Sequence, residues 1–421
     1  MSYSITEKHT GSSVVFSTAP LPTICDTRRR VSEVIAHARS NHLHRAYPVR
    51  KESPTVINRH RSDPWTSTNP SKHKRALEDA QRKHYPSSLC KLSSLYFDTS
   101  SDTLRFHISS FTFTMAPQEL KGILVALITP FTDDGSKVHE GRLEAHINRM
   151  IDAGVHGLVP GGTTGEFTAM TLEERKQVTE LCVKYANGRV PVVAGAGALS
   201  TKDVVELAVH AAKVGAAATM IVPPFYDPVN YEQFRDLCKE TYEASKIPIV
   251  YYNIPSASGL TLSPSEMASL KDVGVHYLKD TSGNAPALTE LLFELDDQIT
   301  AFNGWDTLTF YGLCAGAKGS VWGTTNLIPE LSVELWNAVA VEGDIKKGRE
   351  LWRKIFPVCK FLESYNYPSA IKTGMELRGW ETGGLRKPFK LLAQKETDEI
   401  TKILTASGVS VQKAKWLSNG A

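Results

Sequence analysis

The sequence predicts an α/β fold, a closed (β/α)8 barrel, on three observations. First, from Lys121 onward eight apolar, often β-branched runs follow one another, at residues 122–130, 155–162, 190–197, 216–225, 247–255, 275–283, 299–306 and 317–325. They are continuously apolar rather than alternating, as expected of a parallel sheet covered by helices. Second, segments of helical period lie between them. Third, those segments begin and end on capping residues. Strand and helix alternating eight times close into a barrel; an open doubly wound sheet is the alternative.

Residues 1–114 stand apart. They carry 17 Lys+Arg against 9 Asp+Glu, a net +8, while the remainder of the +3 chain is −5. No apolar period is sustained there, and Ser, Thr, Arg, His and Pro recur, so this stretch is expected to be a mostly disordered basic extension with at most a short helix at 71–84. Three readings of it stand side by side. It is Ser-rich and basic like a mitochondrial presequence, although Glu7, Asp26 and Glu33 come early for one. Its Arg28–Arg30 and Lys72–Arg75 clusters suit an anionic partner or simply a solvated charge run. Met115, directly before the first organised segment, is an alternative start of translation.

Within the barrel, Leu143, Ile147, Met150 and Ile151 recur at helical spacing, as do Val204, Leu207, Ala208 and Ala211. Thr171 with Glu174 and Ser200 with Asp203 have capping-box spacing. Ser263-Pro264-Ser265-Glu266 adds proline at the first helical position. Gly154, Gly188, Gly215 and Gly274 precede the next strands, where helix ends call for a left-handed residue. The expected organisation is an extension at 1–114, a barrel core at 115–328, and a last barrel helix with a helical C-terminal region at 329–421.

Six scattered cysteines with no C-x-x-C suit reduced thiols inside a cell better than a disulfide or zinc framework. No apolar run has membrane-spanning length, and no secretory signal is evident. The expectation is a cytoplasmic protein, or a mitochondrial one if the extension is a presequence. There is no H-E-x-x-H, Gly195-Ala196-Gly197 lacks the third glycine of a dinucleotide fingerprint, and eight of the thirteen histidines lie in the extension. No metal, cofactor, nucleic acid or membrane partner is expected.

A (β/α)8 barrel carries its site at the C-terminal ends of its strands, and the chemistry-bearing residues fall there. The sixth run, G-V-H-Y-L-K-D-T-S-G-N, puts Lys279 at the end of a buried strand. Burial disfavours the charged form of an amine, and a neutral amine can attack a carbonyl to form a Schiff base. The second run ends in G-G-T-T-G-E at 161–166, whose successive N–H groups and two hydroxyls suit an anion; without a P-loop lysine, a carboxylate is the better guest. Tyr226 directly follows the fourth run and Tyr251-Tyr252 lie near the end of the fifth, and a held tyrosine hydroxyl can shuttle a proton. The seventh ends in N-G-W-D at 303–306.

These motifs, with Y-Y-N-I-P at 251–255 and L-K-D-T-S-G at 278–283, are in the order and spacing of one family. Residues 121–392 resemble the dihydrodipicolinate synthase / N-acetylneuraminate lyase family of Schiff-base aldolases. The resemblance implies a covalent imine between Lys279 and pyruvate or another 2-oxo acid, with Thr163 and Thr164 on its carboxylate beside Gly162. It implies Tyr252 as the acid/base and Tyr226 as a relay reaching a neighbouring subunit of a dimer or tetramer. It places Gly304, Asp306, Val321 and residue 257 around the substrate. Synthases of the family usually carry arginine where this chain has Ala257, and neuraminate lyases carry glutamate where it has Thr307. The resulting expectation is a pyruvate-type class I aldolase, a carbon–carbon lyase acting on a hydroxylated 2-oxo acid such as 4-hydroxy-2-oxoglutarate or a 2-keto-3-deoxy sugar acid. Dihydrodipicolinate synthase and a Schiff-base dehydratase are the alternatives within the family. A non-catalytic oxo-acid-binding or scaffold barrel is the alternative of another class, against which the lysine argues, because binding alone does not require it.

Overall fold

A computed structural model describes residues 119–412, together with three short strands before them, Tyr3–Ser4, Tyr96–Asp98 and Arg105–His107. Those three pair as a small antiparallel sheet. Apart from these strands, the extension expected to be mostly disordered, with its helix at 71–84, lies outside the described residues. The chain divides into two compact units, Met1–Ala116 and Pro117–Ala421, so the helices after residue 329 belong to the same unit as the barrel.

Eight parallel strands build the barrel: β1 (Gly122–Ala126), β2 (Gly157–Val159), β3 (Val193–Gly195), β4 (Ala218–Ile221), β5 (Ile249–Asn253), β6 (Val275–Asp280), β7 (Thr300–Asn303) and β8 (Gly319–Trp322). The spatial order is β2-β1-β8-β7-β6-β5-β4-β3. The parallel bridge Leu158↔Val192 joins the two ends and closes the sheet. Each strand lies inside one apolar run but is shorter than it, because the run continues into the loop that carries polar groups.

Alternate strand residues point to opposite faces. Leu124, Val159, Val193, Met220, Val250, Tyr252, Phe302 and Val321 fill the barrel interior. Ile249, Tyr251, Val275 and Leu278 face outward onto Phe234, Leu237 and Leu288. The covering helices include α1 (Glu140–Asp152), α2 (Leu172–Ala186), α3 (Thr201–Val214), α4 (Tyr231–Ser245), α5 (Pro264–Ser269) and α6 (Ala285–Phe293). Full capping boxes start α2 at Thr171 and α5 at Ser263; Ser200 caps α3 through Asp203 N alone. Gly274 precedes β6 at φ +90°, a conformation L side chains rarely adopt.

Beyond β7 come α7 (Thr309–Cys314), α8 (Pro329–Trp336), α9 (Ile345–Glu363), α10 (Tyr367–Leu377) and α11 (Gln394–Ala406). Their core, with Leu335, Ile355, Leu362, Ile371 and Leu404, is continuous with Ile123 and Trp322 of the barrel. The C-terminal helices therefore share a core with β1 and β8. Among the described residues no helix is long and apolar enough to cross a membrane, and no cluster of His, Cys, Asp and Glu could hold a metal.

A buried histidine ties α1 to the end of β8. His146 Nε2 donates to Asn326 Oδ1 at 2.9 Å, which also accepts from Ile128 N at 3.1 Å. Burial pulls the imidazole down to about 4. An ordinary histidine, as in the unfolded chain, titrates near 6.5. The folded protein therefore disfavours the proton, and stability present above that pH is lost as pH falls towards 4. In urea unfolding, the wild type is expected to lose about 2–3 kcal/mol more than His146→Gln between roughly pH 7 and pH 4.5. Parallel pH profiles would show that His146 does not carry the dependence.

Candidate active site

Strands β5 and β6 pair with Tyr252 opposite Lys279 and Asn253 opposite Asp280. On the inner face, Tyr277 packs against the interior cluster, and Lys279, two residues on, emerges at the strand's C-terminal end. Both Lys279 and Tyr252 are 6% exposed. The Lys279 amine lies 3.9 Å from the centre of the Tyr252 ring. A cation or an imine nitrogen there faces the electron-rich side of the ring.

The outer face of the same strand pair fixes that placement. Asn253 Nδ2 donates to Asp280 Oδ1 at 2.8 Å, and the Tyr251 hydroxyl donates to Asn253 Oδ1 at 3.2 Å. Asp280 also accepts from Ser282 N at 3.2 Å. Burial pushes the Asp280 carboxyl up, and these donors oppose it. Gly304 N donates to Asp280 O at 2.7 Å, drawing the β7 loop against β6. A Cβ on Gly304 would stand 2.7 Å from Lys279 Cγ and 2.9 Å from its Cε. The lysine stem lies in the space that the missing side chain leaves.

After β2 the chain makes a tight 3-10 turn, Thr163–Gly165. Thr164 is buried and Thr163 exposed. Thr129 Oγ1 donates to Gly165 O at 2.8 Å and holds the turn from the β1 side. Gly162 faces the barrel interior, where a Cβ would meet Met220 Cε at 3.2 Å. Val321 of β8 is buried in that interior with Tyr252 and Phe302. Lys279, Tyr252, Gly304, Gly162 and Val321 thus share the barrel interior and its mouth.

Three expected site residues stand differently. Tyr226 is 82% exposed, with no hydrogen bond among the described residues. Ala257 is exposed on a one-turn helix, Pro255–Ser258, just past β5. Asp306 is 5% exposed and already holds two hydroxyls on one oxygen, from Thr324 and, at 2.5 Å, from Tyr367 of α10. Burial pushes its carboxyl up; Thr324, Tyr367 and the Lys279 charge pull it back. Asp306, which the resemblance places around the substrate, is therefore already engaged through one oxygen by the protein's own hydroxyls. Glu363 of α9, also raised by burial, accepts from Thr307 N at 2.9 Å and so fixes the same loop.

Sequence reasoning assigns no role to Tyr367, Lys372 and Arg386, which reach the barrel mouth from the C-terminal region. No motif marks them. The only signal is Glu166 in G-G-T-T-G-E, a carboxylate that needs a partner if its turn is buried. Lys372, fully buried, supplies it at 2.5 Å.

A closed (β/α)8 barrel with a buried lysine under a tyrosine ring at its C-terminal mouth has the architecture of a Schiff-base aldolase. Comparison with known proteins narrows this. The Dihydrodipicolinate synthetase family matches residues 119–407. The 4-hydroxy-tetrahydrodipicolinate synthase of Methanopyrus kandleri is 36% identical over 286 residues, 68% of this chain and 95% of that one. The Bartonella bacilliformis protein of the same name is 36% identical over 295 residues, 69% and 99% of the two chains. A crystal structure of dihydrodipicolinate synthase superposes with TM-score 0.65 at 34% identity, covering 69% of this chain and 99% of its own. The Acinetobacter baumannii dihydrodipicolinate synthase, complexed with pyruvate, gives TM-score 0.66 at 29% identity, covering 69% and 100%. The chain belongs to the dihydrodipicolinate synthetase family, whose members are lyases that form or cleave a carbon–carbon bond.

Gly304→Ala tests the packing of the lysine stem. The added methyl is expected to displace Lys279 and to slow its reaction with a 2-oxo acid about tenfold or more, since small misplacements at a reacting centre are costly. Stopped borohydride reduction at a series of times would measure this; an unchanged rate in the variant would show that the stem has room to spare.

Proposed function

We propose that this chain is a pyruvate-type class I aldolase or lyase, working through a covalent imine on Lys279. The observation that carries this reading is the buried Lys279 amine 3.9 Å from the Tyr252 ring centre, at the C-terminal end of the barrel. Lys279 Nζ adds to C2 of the 2-oxo acid, and loss of water leaves a protonated imine. That cation withdraws electrons from C3, so the C3–C4 bond can break, leaving an enamine. In the forming direction, the enamine attacks an aldehyde carbon and water releases the product. The Tyr252 hydroxyl moves the proton to and from the reacting oxygens. The Thr163–Gly165 turn receives the carboxylate on the backbone N–H groups and hydroxyls of Thr163 and Thr164, the Gly165 N–H being held by Gly162 O. No cofactor is needed beyond the imine. Tyr226, being exposed, serves a neighbouring subunit's site in a dimer or tetramer. Full activity in a protein that sediments as a monomer would remove it from the mechanism.

Residue 257 supports a reading of the partner of pyruvate. Ala257 offers no cation for a second substrate carboxylate, and losing such a partner costs about 2–5 kcal/mol. The favoured substrates are therefore hydroxylated 2-oxo acids, such as 4-hydroxy-2-oxoglutarate or a 2-keto-3-deoxy sugar acid. The second reading is condensation of pyruvate with aspartate semialdehyde, favoured by the names of relatives matched over nearly their full lengths.

Pyruvate with borohydride is expected to add a stable mass to the peptide containing Lys279, and Lys279→Ala to abolish it. Labelling of another lysine, or none, would refute the aldolase mechanism. On one purified preparation, kcat/KM for cleavage of hydroxylated 2-oxo acids should exceed that for condensation with aspartate semialdehyde. The reverse order would replace the first reading with the second.

A further inference from the structure

The Thr163–Gly165 turn ends on Glu166, which adopts a left-handed conformation (φ 59°, ψ 36°). Such a backbone is uncommon for a residue with a side chain and persists only where surrounding structure enforces it. Here the enforcing contacts come from beyond the barrel. Lys372 of α10 has no exposed surface and Glu166 is 4% exposed. The Lys372 ammonium meets Glu166 Oε1 at 2.5 Å and donates to Thr129 O and Gly384 O, each at 2.7 Å. The ammonium thus donates to two carbonyl oxygens and stands in ion-pair contact with one carboxylate oxygen. Glu166 Oε2 accepts from Arg386 N at 3.1 Å.

The ammonium grips the turn from two sides. One grip is direct, through the Glu166 carboxylate. The other runs through Thr129, whose carbonyl binds Lys372 and whose hydroxyl donates to Gly165 O. Arg386 extends the clamp along the same loop, donating to Ala169 O at 2.8 Å and binding both oxygens of Glu174, at 2.5 and 2.7 Å. Around Lys372 also lie the Phe131 ring, 4.4 Å from its amine, the charges of Glu376 and Arg386, and the buried His146. Burial pulls the amine down to about 8, and the neighbouring Glu166 opposes that shift.

A buried ion pair of this kind contributes little net stability, because desolvation offsets its attraction. Its position gives it another use. We infer that Lys372 is a positioning residue: through Glu166 and Thr129 it holds the Thr163–Gly165 turn in the geometry that receives the substrate carboxylate. This inference rests on the imine mechanism proposed above. Lys372 does not touch the reacting atoms, so its loss weakens substrate binding and spares the chemistry of a saturated site.

The test uses the full chain and reads two quantities from pyruvate–borohydride trapping of Lys279: the half-saturating pyruvate concentration and the trapping rate at saturation. The double variant Glu166→Gln/Lys372→Met replaces the ion pair with neutral groups of similar size, and thermal melting reports whether it folds. The expected result is a folded protein whose half-saturating pyruvate rises about tenfold or more, with a saturated rate within about twofold of wild type. A folded double variant with unchanged half-saturation overturns the inference. If the double variant does not fold, Thr129→Val decides, because it keeps shape and removes only the bond to Gly165 O. Raised half-saturation in Thr129→Val supports the clamp, and an unchanged value overturns it. Failure of the wild type to trap at all would instead overturn the underlying aldolase reading, and this inference with it.

Discussion

The in-register pairing of β5 with β6 is the constraint on which the rest depends. A slip of one residue would send every side chain of one strand to the opposite face. Lys279 would then point into the helical layer, and Tyr252 would have no amine beneath its ring. The register is held from outside, by Asn253 on Asp280 and Tyr251 on Asn253. The reactive pair occupies the inner face and the locking network the outer face, from adjacent residues on the same two strands. Asp280 is thus tied to Lys279 by sequence and to the register by hydrogen bonds.

A second consequence concerns where polar groups are buried. The barrel interior below the mouth is apolar, filled by Leu124, Val193, Met220, Val250 and Phe302. Charge is concentrated where the C-terminal helices meet the loops after β2 and β7: Glu166 with Lys372, and Asp306 with Tyr367. Removing such groups from water is costly unless each finds a partner. Here the partners come from α10 in both cases, so one helix fixes two of the loops at the mouth. The helices beyond the barrel are part of the site's support, and their apolar core with Ile123 and Trp322 anchors that support to β1 and β8.

Much of this was legible in the sequence, and particular residues show why. The eight apolar runs each hold a strand because burial by helices removes the need for polar alternation. Thr171 and Ser263 form full capping boxes because the glutamate three residues on reaches back to the N-cap N–H, which the shorter Asp203 beyond Ser200 does not. Lys279, Tyr252 and the Thr163–Gly165 turn fall at strand ends, where the barrel topology itself puts them. Asp306 was harder, because its commitment to Tyr367 depends on a helix far along the chain. Lys372 and Arg386 were illegible for the same reason: each is an ordinary basic residue on a helix or loop, and only the tertiary fold brings it to Glu166 and Glu174. Strand lengths were overread, since apolar character continues into the loops that the barrel mouth covers.

The central claim is that the Lys279 amine, set beneath Tyr252 by the β5–β6 register, is the group that takes up the 2-oxo acid. A crystal structure of the protein soaked with pyruvate tests it most directly. The account predicts continuous electron density from Lys279 Nζ to C2 of pyruvate, with the carboxylate in the Thr163–Gly165 turn. Density for pyruvate joined to a different lysine, or lying unbonded away from Lys279, would contradict it.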